Sequence, residues 1–122
     1  MSVPVIQVGS CLIATLTEEI GDAEALDLQE TLNSRIEKIS ATGVLLDISV
    51  LETIDSFLGR LLNEITLGAR LLGAETVVAG MRPAVAMTLV ELGLTLKGVR
   101  SSLDAERGLA LLGQHLNGNS HR

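Results

Sequence analysis

Gly43-Val-Leu-Leu-Asp47-Ile-Ser49 is an apolar run of strand length, and shortly beyond it the spacing of apolar residues changes to that of a helix. Leu58, Leu61, Leu62, Ile65, Ala69 and Leu72 recur at three-and-four spacing and build one buried face, with Arg60, Asn63, Glu64, Thr66 and Arg70 falling elsewhere. A buried strand therefore hands over directly to an amphipathic helix. The turn between them lies at the carboxyl end of a strand, where open α/β proteins place their functional groups. Ser56, at or beside the helix N-cap, is the residue this pattern singles out. A serine there commonly accepts a hydrogen bond from a first-turn amide, worth roughly 0.5–2 kcal/mol, so an ordinary cap is the alternative to a functional hydroxyl.

The rest of the chain repeats the alternation. Val3 to Val8 and Cys11 to Leu16 read as two extended runs joined by a Gly9-Ser10 hairpin turn. A helix from Gly21-Asp22 to about Ile39 follows, capped by Asp22, with Ala25, Leu28, Leu32, Ile36 and Ile39 on one face. After the Val44 to Ile48 strand and the Ser56 helix, which ends near Gly73, Thr76 to Ala79 reads as a fourth strand. Pro83 suits the first turn of a helix to Leu92, closed by Gly93. A weak strand at Leu96 to Val99 and a last helix from Asp104 to Leu116 complete the order. The pattern predicts an α/β fold with a mixed, mostly parallel sheet of four to five strands and about four helices. At 122 residues it forms one domain, residues 1–122, with a core over about 4–116 and a polar tail over 117–122.

Composition narrows the chemistry. A net charge of −6 and a single aromatic residue, Phe57, oppose nucleic acid, which calls for clustered cations and stacking platforms. The lone Cys11 excludes a disulfide framework and reads as a small buried hydrophobe. No leader and no apolar run of membrane-spanning length is seen, so a cytoplasmic protein is expected. No glycine-rich phosphate loop occurs, and His115 and His121 stand far in sequence from Cys11 and Ser56, so no nucleophile and base pair is evident. Asp47 and Asp55 admit drawing as a carboxylate pair for Mg²⁺ or acid-base work, but more often cap a loop; no cofactor, metal or enzymatic activity is expected. On the Ser56 helix, Phe57, Arg60, Glu64, Leu67 and Leu71 fall on neighbouring positions, a mixed strip suited to docking a partner. The alternative has Phe57 tucked under the core edge and both leucines as boundary residues.

Ile54-Asp55-Ser56-Phe57, opening the helix after the third strand, resembles the phosphorylation-site turn of the STAS domain family, the anti-sigma-factor antagonists and their relatives. The Gly80-Met-Arg82-Pro83 loop entry resembles the later strand-loop-helix of STAS proteins from bacterial stressosomes, and the likeness runs from about Pro4 to Leu116. Phe57-Leu58-Gly59 after the serine departs from the antagonist pattern and favours the scaffold branch. The resemblance implies a non-catalytic scaffold whose Ser56 accepts phosphate, with Asp47, Asp55, Thr53 and Gly59 as neighbours and Thr53 and Ser49 as lesser acceptors. It implies an RsbR-type STAS co-scaffold, an RsbT-type switch serine kinase and an RsbX-type phosphatase as partners, in a homodimer and a large hetero-oligomer. The alternatives are a single-partner anti-sigma-factor antagonist and a small-ligand or nucleotide-binding module.

Overall fold

The computed structural model describes residues 3–94, 96 and 98–114. Its elements run β1 (Val5–Val8), β2 (Cys11–Thr15), α1 (Asp22–Ile39), β3 (Gly43–Asp47), α2 (Ser56–Leu71), β4 (Glu75–Ala79), α3 (Pro83–Glu91), β5 (Arg100–Ser102) and α4 (Ala105–Leu111). The five strands lie side by side in chain order. The Gly9-Ser10 turn, with Gly9 at φ +59°, folds β1 antiparallel onto β2. The remaining pairs are parallel, with Cys11 facing Gly43, Gly43 facing Glu75 and Val77 facing Arg100. The mixed, mostly parallel α/β sheet of the sequence pattern is thus the fold, with four helices among the described residues.

Period-two alternation divides the strands between two unequal faces. Leu12, Ala14, Val44, Leu46 and Val78 point into the main core, where Leu28, Leu32 and Ile36 of α1, Leu61, Leu62 and Ile65 of α2, and Val85 and Leu89 of α3 meet them. Cys11, Leu45, Val77 and Ala79 point the other way and are covered by Leu109, Ala105 and Leu112 in and beside α4. Gly108 lets α4 approach: a side-chain carbon there would run into Leu45 and stand 2.8 Å from the Ser102 hydroxyl. Val44, Leu45 and Leu46 are wholly buried, each contributing about 1.5–3 kcal/mol, so β3 is fixed from both sides.

Several sequence expectations shift. The N-cap of α1 is Gly21, not Asp22. The Gly21 amide donates to Glu24 Oε1 at 2.8 Å, and this bond holds the Glu24 carboxyl below its ordinary range. Leu72 lies past the end of α2 and is 45% exposed, so the buried face stops at Ala69, while Thr66 is buried. The fifth strand is Arg100–Ser102 rather than Leu96 to Val99, because Leu96 and Gly98 both take positive φ and turn the chain. The last helix ends at Leu111, where Leu112 caps it. His115, Leu116 and the 117–122 tail lie outside the described residues. No described helix is long and apolar enough to cross a membrane. Cys11 is fully buried, and desolvation raises its thiol pKa, with hydrogen bonds from Ser10 and Thr42 acting against the rise.

Candidate functional site

The carboxyl edge of the sheet carries the β3–α2 loop and places Ser56. Past Asp47 the chain keeps one more sheet bond, from the Ile48 amide to the Ala79 carbonyl at 3.0 Å, then turns through a bond from the Leu51 amide to the Ile48 carbonyl. Asp47 Oδ1 accepts from the Ser49 amide at 3.0 Å. Asp47 therefore holds its own turn. Two neighbouring segments pin the loop: Glu18 Oε2 accepts from the Glu52 amide at 3.2 Å, and Arg82 Nε donates to the Ser49 carbonyl at 2.9 Å. Gly80, at φ +76°, supplies the seat for Ser49, since a side-chain carbon there would lie 2.8 Å from Ser49 Cα.

The cap of α2 is Asp55, not Ser56. Its Oδ1 accepts from the Leu58 amide at 2.8 Å while its backbone is extended. Ser56 is the first helical residue, exposed to solvent and free of capping duty. Its amide and that of Phe57 belong to the first turn, which has no carbonyl to meet within the helix. An Asp55→Ala protein should lose about 1 kcal/mol of stability, read from its urea midpoint. Ser56→Ala should leave that midpoint nearly unmoved, since Ser56 stands beside the cap and the alternative of an ordinary capping serine does not apply.

The other expected residues separate by role. Thr53 is exposed in the loop before the cap. Gly59 is buried against α3, where a side-chain carbon would stand 2.9 Å from Leu92 Cδ1 and 3.5 Å from Leu89 Cδ2, so its part is to let two helices touch. Phe57 is half-buried and packs on the main core, the tucked arrangement, and does not project as an anchor. Arg60, Glu64, Leu67 and Leu71 face outward, with Leu71 87% exposed; Glu64 Oε1 lies 3.5 Å from Gln29 Nε2 of α1.

Between the starts of α1 and α2 lies a cavity of about 280 Å³, lined by Glu18, Asp22, Asp55 and Phe57 among others and by no basic side chain, with Ser56 itself off its wall. A dianion on Ser56 would sit next to Asp55 in sequence and at the unpaired amides of the α2 start. Among the described residues no group of three or more histidine, cysteine or carboxylate side chains is placed to hold a metal ion. Arg82, Gly80 and Glu18 are parts of the site that the sequence pattern missed as such; only the Gly80-Met-Arg82-Pro83 motif signalled two of them.

A family model described as STAS domain matches residues 2–105. A serine-to-glutamate variant of RsbS from Moorella thermoacetica superposes with a TM-score of 0.82 at 36% identity, over 90% of this chain and 93% of that one. A chain from the structure described as the molecular architecture of the stressosome, a signal integration and transduction hub, gives 0.80 at 38% identity, over 89% and 95%. The Bacillus subtilis (strain 168) RsbT co-antagonist protein RsbRD is 29% identical over 98 residues, and the match takes in 80% of this chain but 35% of that protein. The chain thus spans about a third of that curated relative.

Proposed function

The chain belongs to the STAS domain family, and from that premise we propose that it is a non-catalytic scaffold of a bacterial partner-switching system of the stressosome kind, with Ser56 as its phosphoacceptor. The observation that carries this reading is the exposed Ser56 hydroxyl at the first position of α2, relieved of capping by Asp55. Likeness to RsbS structures over about nine-tenths of the chain supports the scaffold role. Likeness to RsbT co-antagonist proteins supports an RsbR-type co-scaffold and an RsbT-type switch kinase as partners. The unphosphorylated form joins the co-scaffold and holds the kinase; phosphate on Ser56 releases it, and an RsbX-type phosphatase resets the state. The setting is cytoplasmic, where the kinase finds ATP.

Phosphate brings about −1.5 to −2 charges and three acceptor oxygens. The helix start favours that charge by about 0.3–1 kcal/mol at an exposed position, and Asp55 beside it opposes by a comparable amount. The two nearly cancel, so the fold stays and the change is read at a partner surface. Arg60, Glu64, Leu67 and Leu71 continue outward from Ser56 along α2 and form that surface, with Phe57 as its buried footing. Leu67→Lys should leave the urea midpoint within about 0.5 kcal/mol of the parent, since Leu67 is 46% exposed, yet reduce assembly with the co-scaffold by size measurement. Unchanged assembly removes the docking face.

The reading as a whole is tested by incubating the chain with its cognate kinase and ATP. One phosphate's mass should appear on the peptide containing Ser56, and the complex with the kinase should dissociate. Phosphate on Thr53 or Ser49, or none at all, overturns the assignment.

A further inference from the structure

The approach to Ser56 runs over the surface: Val50 is 48% exposed, and Glu52, Thr53 and Asp55 are exposed as well. Leu51, which is buried, and Ile54, which packs on the main core, root the stretch from below. Its backbone has little support of its own. From Glu52 to Ile54 the one backbone hydrogen bond among the described residues is that from the Glu52 amide to Glu18 Oε2 at 3.2 Å. An exposed segment with so few bonds opens readily, so the side chains that reach it from outside decide how well its shape is kept.

Neither of those side chains is needed where it stands. Arg82 is the N-cap residue of α3, yet its side chain makes no capping bond there. It turns instead to the Ser49 carbonyl, which its Nε meets at 2.9 Å. Glu18 lies between β2 and α1, where the Ile20 amide closes the turn on the Thr17 carbonyl and Glu24 serves the Gly21 amide at the helix start. The Glu18 carboxylate is thereby left for Glu52. In the sheet β3 runs between β2 and β4, so its outgoing loop is clasped from both flanks, by the chain that leaves each neighbouring strand.

We propose that Glu18 and Arg82 are positioning residues for the phosphorylation of Ser56, holding the β3–α2 loop in the shape that the kinase takes up; this rests on the reading of Ser56 as the phosphoacceptor. Among the described residues no hydrogen bond joins either side chain to Ser56, so both act through the backbone of Glu52 and Ser49. A preformed segment binds more tightly than one that must be ordered on contact. A kinase that finds the competent shape in only a fraction of the molecules binds with affinity lowered by that fraction. The effect therefore falls on KM and spares kcat, because the hydroxyl, the ATP and the kinase are unchanged once the complex has formed.

The test is steady-state phosphorylation of the full chain by its cognate switch kinase and ATP, with amide hydrogen exchange measured on the unphosphorylated chain. Arg82→Met keeps an unbranched stem without the donor, Glu18→Ala removes the acceptor, and Glu18→Gln keeps an acceptor oxygen without the charge. In the chain carrying both Glu18→Ala and Arg82→Met, exchange at the Leu51 and Leu58 amides should quicken about fivefold or more. Its KM should rise by a similar factor, with kcat within about twofold of the parent and the urea midpoint near that of the parent. Glu18→Gln should match the parent in both measurements. An unmoved KM in the double variant, or a loss confined to kcat, overturns the positioning role. So does better phosphorylation of both Glu18 variants, which is what removal of a negative charge alone would give. A parent that takes no phosphate on Ser56 overturns the phosphoacceptor reading and this inference with it, and the two failures are told apart by the parent's label.

Discussion

A Ser56→Ala protein should take up no phosphate from the cognate switch kinase, where the parent is labelled to one phosphate per chain. The effect is all or none because the acceptor oxygen itself is gone, and the neighbouring hydroxyls stand elsewhere. Thr53 lies in the loop before the cap, and Ser49 is half-buried, with its backbone gripped from both sides by Asp47 and Arg82. Asp55 still closes the helix through the Leu58 amide, so the urea midpoint should stay within about 0.5 kcal/mol of the parent. Intact mass and a denaturation curve on one sample check both halves. Labelling equal to the parent would remove Ser56 from the mechanism, and a large loss of stability would mean that the serine is structural after all.

Gly80→Ala should be among the most damaging single-methyl changes available to this chain. The residue sits at φ +76°, and the added carbon would stand 2.5 Å from Ser49 Cβ and 2.8 Å from Ser49 Cα. Left-handed backbone costs a non-glycine residue about 1–2 kcal/mol, and overpacking against atoms that cannot turn aside adds about 1–3 kcal/mol. A loss of roughly 2–5 kcal/mol follows, together with displaced amide resonances from Ser49 to Ser56. Gly73→Ala is the control, since its φ is +93° but nothing lies within 4 Å of the new carbon; only the first part, about 1–2 kcal/mol, applies there. Equal losses at the two positions would show that the Ser49 seat carries no strain.

The long parallel strands and the three helices behind them were legible in the sequence, because burial writes itself into spacing. Leu28, Leu32 and Ile36 show it in α1, and Leu61, Leu62 and Ile65 in α2. The fifth strand was not, and Leu96 shows why. It is apolar and 9% exposed, yet its φ of 48° places it in a turn, while the strand falls on Arg100-Ser-Ser102, whose identity comes from backbone pairing with β4. Polar residues at a sheet edge carry no periodic signal.

At the site the strand-to-helix handover was legible, and of the two places the pattern allowed Ser56, at the cap or beside it, the structure takes the second. Asp55 and Ser56 are both competent caps, and only the backbone geometry of Asp55 decides between them. The fixing of the loop from outside was beyond any local pattern: Glu18 and Arg82 reach Glu52 and Ser49 across 34 and 33 positions of sequence.

The unequal clothing of the two sheet faces sets an order of departure. Among the described residues, three helices guard one side, whereas the other is covered by the seven residues of α4 and the few apolar contacts around Leu109. A helix that short has no independent life in water, so it holds only while it is seated. Thermal agitation should unlatch this lid before anything else gives way, baring Leu45 and Val77 while the remaining layers stay shut.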